Sequence, residues 1–460
     1  MSPLPPQPVS PLDGRYRAAV EALGEHLSEA GLNRARVRVE VEWLIYLTER
    51  ELFGARRLDA EQAHALRTLV TGFGQPEIDR LAELEAGTRH DVKAVEYLVR
   101  EKLARLGLTD VAELTHFACT SEDINNLAYA ITIGQAVREI WLPAARAITA
   151  RLRELAEEHR ATPMLAHTHG QPATPTTVGK EFAVFVHRLE RVLAQVETTE
   201  YLGKFSGATG TFGAHLVADP DRDWPAIGRE FVTSLGLDWN PLTTQIESHD
   251  WQAELYARIS HAGRILHNLC TDVWTYISMG YFVQIPQPGA TGSSTMPHKV
   301  NPIRFENAEA NLELASALLD SLAATLVTSR MQRDLTDSTT QRNVGVALGH
   351  SLLALDNIRR GLGEFSVDRT ALAADLDANW EVLGEAIQTV IRAEVVAGRS
   401  SIADPYALLK ELTRGKRVTQ PDLVAFIEGL DIGAEAKARL VALTPAGYLG
   451  VAAELVAQLG

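Results

Sequence analysis

The 460-residue sequence predicts an all-α fold, and three observations carry that reading. Apolar residues recur at helical spacing through most of the chain. Strand-like alternation is nearly absent, and no internal repeat is visible. Five helical stretches of about 25 to 35 residues stand in the middle, longer than an ordinary globular helix.

A helical segment over about 1–112 comes first. The first long stretch, near 122–158, opens after Thr120-Ser121-Glu122-Asp123, and Pro143 is expected to kink it because proline lacks an N–H and crowds the preceding turn. The second, near 175–201, follows the punctuation Gln171-Pro172-Ala173-Thr174-Pro175, and the third, near 247–281, follows Asn240-Pro241. The fourth, near 304–330, places Phe305, Ala308, Leu312, Ala315, Leu319, Leu322 and Leu326 on one stripe. The fifth, near 341–363, does the same with Val344, Leu348, Leu352, Leu355, Ile358 and Leu362. A last helical segment, 364–460, is broken by Gly398-Arg399-Ser400-Ser401 and Arg414-Gly415-Lys416-Arg417. Helices this long need partners along their whole extent, and several carry Ala and Leu on more than one face. A central bundle whose outer faces pack on other subunits meets both needs. The expectation is therefore three helical domains, 1–112, 113–363 and 364–460, the middle one a five-helix bundle with a long loop at 286–302.

Composition narrows the function. Lys plus Arg is 44 against 59 Asp plus Glu, a formal charge of -15, which argues against nonspecific nucleic-acid binding but leaves room for a small anion held by local cations. Two cysteines, Cys119 and Cys270, make no disulfide framework, and the cytoplasm is the expected compartment. The proline-rich Met1–Ser10 has no apolar centre, so no signal peptide is expected. No apolar run reaches the roughly 18 residues of a membrane span.

Chemistry concentrates in a few clusters. The run Gly292-Ser293-Ser294-Thr295-Met296-Pro297-His298-Lys299-Val300-Asn301-Pro302 puts hydroxyls, an imidazole and an ammonium in one irregular segment. It fits either a solvated Gly/Ser loop or a serine whose anion is stabilised by turn amides and Lys299. His167-Thr168-His169 offers a surface histidine or a general acid poised near neutrality. Zinc is disfavoured, since no third His or Cys stands at ligand spacing. Arg89-His90-Asp91-Val92-Lys93 is a further polar cluster. Thr120-Ser121-Glu122-Asp123 reads as a helix cap or as an anion-holding helix start. Arg330 to Ser338, with Arg342, suits phosphate or carboxylate, or is a charged turn between helices.

Taken together these motifs resemble one family. Gly292-Ser293-Ser294, Met296-Pro297, Lys299 and Asn301-Pro302 are similar to the signature loop of the fumarase/aspartase superfamily. Ser10-Pro11-Leu12-Asp13-Gly14-Arg15-Tyr16, Arg89-His90-Asp91-Val92-Lys93, Thr120-Ser121-Glu122-Asp123, Thr168-His169-Gly170-Gln171-Pro172 and Arg333-Asp334-Leu335-Thr336-Asp337-Ser338 narrow the resemblance to bacterial adenylosuccinate lyases, from about residue 9 onward. The resemblance implies a homotetramer with a twenty-helix core and active sites drawn from three subunits. It implies elimination of fumarate from adenylosuccinate, giving AMP, and from the succinyl-carboxamide ribotide SAICAR, giving AICAR, without metal or cofactor. It implies Ser293 as general base, His169 as general acid and Glu306 as the carboxylate that orients the acid. Lys299 and Asn301 match residues holding the succinyl carboxylates. Arg15, Tyr16, Arg333, Ser338 and Arg342 match phosphate and ribose contacts, and His90, Asp91, Thr120, Ser121, Gln245 and Asn307 match further substrate contacts. His167 carries no role and is left structural. Two rivals remain at this point, another lyase of the superfamily such as argininosuccinate lyase and a structural protein on the same fold.

Overall fold

The computed structural model describes residues 8–286, 296, 298–413 and 417–459. The chain divides into two compact units. The first takes in Met1–Arg146, Val192–Arg264 and Ala310–Asp356, and the second Ala147–Arg191, Ile265–Glu309 and Asn357–Gly460. The elements that position functional side chains are α1 (Glu29–Glu49), α2 (Asp91–Arg105), α3 (Ser121–Gln135), α4 (Leu142–Glu158), β1 (Pro163–Thr168), β2 (Gln171–Thr177), α5 (Val178–Glu197), α6 (Asp250–Ser278), α7 (Ile303–Leu326) and α8 (Val344–Gly361). Every boundary between the units falls inside one of the helices α4 to α8. The fold is all-α, as the sequence predicts.

The long helices fall where the apolar spacing puts them. The stretch near 122–158 is α3 and α4 joined by a π-helical turn, Ala136–Trp141. Pro143 denies α4 a hydrogen bond at the position one turn back, and the wider turn absorbs that loss without ending the helical path. The prolines at 163, 172 and 175 mark not a bare connection but a β-hairpin. In it Pro163 pairs with Thr177, Leu165 with Pro175 and Thr168 with Gln171. A two-stranded ribbon is all edge, so prolines sit in it without an unpaired neighbour strand. Both ends are tied back: Val178 N–H donates to Thr162 O at 3.0 Å and Gly179 N–H to His159 O at 3.0 Å. A Cβ on Gly179 would stand 2.3 Å from Ala156 O, so only glycine permits this approach.

In the first unit α1 is buried on nearly every face, which explains its lack of a single apolar stripe. Trp43 packs its ring 4.4 Å from that of Phe205 and 4.9 Å from that of Phe231. Its indole N–H donates to Phe117 O at 3.1 Å, which fixes the segment leading into α3. The same segment is held by charge. Glu40, fully buried on α1, accepts from the His116 backbone N–H at 3.0 Å and faces His116 Nδ1 at 2.6 Å. His116 and Ala118 both adopt left-handed backbone, which these contacts hold in place.

At the start of α3, Asp123 accepts from Thr120 N–H at 2.8 Å, the capping role that the sequence allows. Asp123 also accepts from Ser206 N–H at 2.9 Å and pairs with Lys204 Nζ at 2.9 Å, both charges fully buried. Lys204 Nζ further donates to Gly207 O at 2.9 Å.

In the second unit, Phe282–Gln284 pairs antiparallel with Phe365–Val367, and the rings of Phe282 and Phe365 stack at 4.8 Å. Beyond them Leu383, Ile387, Ile391, Leu423, Ile427 and Leu440 close a separate apolar cluster.

Replacing Lys204 with Met strands the Asp123 carboxylate without a counter-charge. The expected loss is about 3–5 kcal/mol in urea unfolding, and a loss below about 1 kcal/mol contradicts the pairing. A second expectation concerns pH. Burial opposes protonation of His116, but Glu40 outweighs it and holds the imidazole above its ordinary 6.5. A pKa raised by folding adds stability below the unfolded value and loses it as pH rises through the folded one. The stability gap between the wild type and His116→Asn should therefore narrow as pH rises above the ordinary 6.5 and through the raised folded value, and a gap that widens overturns the pairing.

Candidate active site

A pocket of about 390 Å³ opens in the first unit. Of the residues singled out from sequence, His90, Asp91, Ser121, Arg333, Ser338 and Arg342 line it, from segments more than two hundred residues apart. Four arginines, Arg36, Arg89, Arg333 and Arg342, face two carboxylates among its lining residues, Glu85 and Asp91. In a chain of net charge -15 this is a local reversal of sign, suited to a multiply charged anion. A neighbouring hollow of about 410 Å³ shares Arg342 but is lined largely by apolar groups such as Leu12, Val20 and Leu23, so polar convergence favours the first.

Local structure explains how each side chain arrives. Arg89 adopts left-handed backbone where the helix Gln75–Thr88 ends, and His90 then caps α2, its Nδ1 accepting from Lys93 N–H at 3.2 Å. Asp91 opens α2 and accepts from its neighbour Val92 N–H at 2.9 Å. Arg333 donates to Ser338 Oγ at 3.1 Å and Gln245 Oε1 at 3.4 Å, and pairs with Glu122 at 3.0 Å. Arg342 pairs with Asp91 at 3.0 Å and with Glu29. Burial would raise the Asp91 carboxyl, but Arg36, Val92 N–H and Arg342 outweigh it and hold it below its ordinary value. Glu122 goes the other way: burial raises it, and Arg333 and Asn125 recover only part of the shift. His249, buried near Arg333, is lowered to about 4, chiefly by burial.

The rest of the set from the first unit lies outside that lining. Thr120 caps α3, and Gln245 reaches the site through Arg333 while its amide donates to Ala208 O at 3.0 Å. The Arg15 guanidinium stands 5.8 Å over the Tyr16 ring, at the start of the helix Arg17–Leu27. Arg330 is exposed and pairs with Asp334 at 3.6 Å, the charged-turn reading for that residue.

The second unit carries the remainder. His169 and Gly170 form the two-residue turn between β1 and β2, with φ of 53° and 71°, the left-handed pair that a type I′ hairpin requires. His169 is exposed at that tip. His167, on β1, faces inward, 4.0 Å from Asp375 Oδ2 and beside the Tyr281 ring. Lys299 is exposed, its N–H donating to Met296 O at 3.0 Å, and Asn301 is half-buried ahead of α7. Glu306 lies in the first turn of α7 and accepts from Trp274 Nε1 at 3.1 Å, while Asn307 accepts from Asn357 Nδ2 at 3.0 Å. Ser293 lies outside the described residues. Among the described residues no group of His, Cys, Asp and Glu is spaced to hold a metal ion.

Sequence reasoning passed over Arg36 and Tyr129, and it quoted Glu122 and Asn125 only as part of the motif that opens α3, without a role in the site. No local signal sets Arg36 apart, since Arg34 and Arg38 stand two residues to either side of it on the same helix.

Comparisons with known proteins identify the family. A family model described as lyase matches residues 14–315, and one described as adenylosuccinate lyase C-terminal matches residues 329–449. The chain is 48% identical over 455 residues to the adenylosuccinate lyase of Escherichia coli (strain K12), covering 98% of each. It is 45% identical over 450 residues to that of Legionella pneumophila (strain Corby), covering 97% of each. Crystal structures of a fumarate lyase from Mesorhizobium sp. BNC1 and a 3-carboxy-cis,cis-muconate lactonizing enzyme from Pseudomonas putida share its fold. Both give a TM-score of 0.74, at 19% and 20% identity, covering 95% and 96% of this chain and 97% of each of theirs. A basic pocket on an all-α frame, matched along nearly its whole length by these lyases, leaves one conclusion: the chain belongs to the adenylosuccinate lyase family of the fumarase/aspartase superfamily.

Proposed function

We propose that the chain eliminates fumarate from adenylosuccinate, leaving AMP, and from SAICAR, leaving AICAR, in purine nucleotide biosynthesis in the cytoplasm. The observation that carries this reading is the four-arginine pocket, whose lining includes Ser121, Ser338 and Arg342 and which suits a nucleotide phosphate better than a free amino acid. Argininosuccinate has no phosphate to place there.

The reaction breaks a C–N bond beta to a carboxylate. The Ser293 alkoxide takes the proton from the carbon next to that carboxylate, and the electron pair forms the double bond of fumarate as the C–N bond opens. The His169 imidazolium protonates the departing nitrogen. Lys299 and Asn301 meet the charge that grows on the succinyl carboxylates. Glu306 orients His169. Arg15, Tyr16, Arg333, Ser338 and Arg342 hold phosphate and ribose. His90, Asp91, Thr120, Ser121, Gln245 and Asn307 complete the contacts. The proton ledger closes without a redox partner, so no cofactor is invoked.

The chain works as a homotetramer whose sites draw on three subunits, with the segments 1–112, 113–363 and 364–460 as its domains. An imidazole exposed at a hairpin tip and a carboxylate exposed at a helix start are consistent with groups that serve a neighbour's site.

Fumarate release, followed by absorbance, should occur with adenylosuccinate and not with argininosuccinate; the reverse pattern overturns the substrate. Ser293→Ala should lower kcat about 10³-fold with KM changed little, because only proton removal is lost. An unchanged kcat removes Ser293 from the role. Mixed after subunit exchange, inactive His169→Ala and Ser293→Ala proteins should recover turnover. Silence after proven exchange contradicts a shared site.

A further inference from the structure

We propose that Arg36 is a positioning residue that sets the spacing of the two substrate-facing arginines, Arg333 and Arg342. This rests on the reading of the pocket as the phosphate site.

Arg36 is 2% exposed, projecting from the interior of α1. Its guanidinium spans three acceptors. Nε donates to Asn125 Oδ1 at 2.9 Å, Nη1 to Asn33 Oδ1 at 2.9 Å, and Nη2 pairs with Asp91 Oδ2 at 2.9 Å. From this hub two arms run to the pocket. On one, Asn125 spends its carbonyl on Arg36, so its amide must point the other way, and it donates to Glu122 Oε1 at 2.8 Å. The same Glu122 oxygen pairs with Arg333 Nη2 at 3.0 Å. On the other arm, the Asp91 oxygen that binds Arg36 also binds Arg342 Nη2 at 3.0 Å. Cation, anion, amide, cation, anion and cation thus alternate from Arg333 to Arg342, with the buried members in the middle.

The physics assigns direction to this chain. Arg333 and Arg342 have long side chains, partly exposed at 22% and 40%, with many rotamers to lose. Asn125 and Glu122 are buried and have few alternatives. Buried Glu122 stays where its partners hold it, and Asp91, 27% exposed, is held by the Arg36 fork, so the hub fixes both carboxylates and these fix the arginines. Lysine cannot substitute. Its single ammonium is a point donor, whereas the fork reaches three acceptors on α1, α2 and α3 at once.

The test is steady-state kinetics on the full-length enzyme with adenylosuccinate, plus competition by inorganic phosphate. Arg36→Lys keeps the charge and should raise KM about tenfold or more, and weaken phosphate inhibition by the same factor, with kcat within about threefold. A merely structural role instead lowers kcat through loss of active protein and leaves KM and phosphate inhibition alone, which overturns the proposal. Should Arg36→Lys fail to fold, Asn125→Ala, which cuts only one arm, must raise KM in the same pattern, and an unchanged KM sinks the idea. Arg342→Ala separates the layers. If it weakens phosphate inhibition while the Arg36 and Asn125 variants do not, the hub is wrong and the pocket stands. If Arg342→Ala also has no effect, the pocket reading fails and the hub fails with it.

Discussion

A charge taken out of water must be met by an opposite charge and by hydrogen bonds, or it does not stay buried. The first unit depends on that constraint in three places. Arg36, Glu40 and Lys204 are all buried, and each finds its partner on a different segment: Asp91 at the start of α2, His116 ahead of α3, and Asp123 inside the first turn of α3. These are the segments that deliver Arg89, His90, Asp91 and Ser121 to the pocket. Hydrophobic contact alone lets such irregular stretches slide. An ion pair with a donor on each side does not.

The same constraint shapes the pocket's field. Two of its cations are matched within the chain, Arg333 by Glu122 and Arg342 by Asp91 and Glu29. An anionic ligand therefore competes with internal carboxylates rather than meeting bare charge. Asp91 is held below its ordinary value by its guanidinium partners, while burial raises Glu122 above its own. The two ends of the site are thus unequal electrostatically, although both present a guanidinium.

Much of the fold was legible because long helices write their core on the sequence. The stripe from Phe305 to Leu326 marks α7 to its last residue, and Val344 to Leu362 marks α8 almost as closely. The hairpin was not legible, because its prolines resemble loop punctuation and it lacks alternation. Conversely, Val37 to Trp43 alternates apolar and charged residues yet lies in α1, since a helix buried on nearly every side needs no stripe. In the site, motif residues such as Arg333, Ser338 and His90 announced themselves by polar chemistry at helix ends. Arg36, Glu40 and Lys204 did not, because a charge in a sequence reads as surface until its distant partner is known. Asn125 lies 89 residues from Arg36, and no local pattern links them.

The turn that carries His169 has a further consequence. With only two residues between paired strands, and both torsions left-handed, the main chain there has almost nowhere to go. The imidazole is left with rotation about its own two side-chain bonds as its range of search. A short tether of this kind makes the ring cheap to aim, because little disorder has to be frozen out when a ligand arrives.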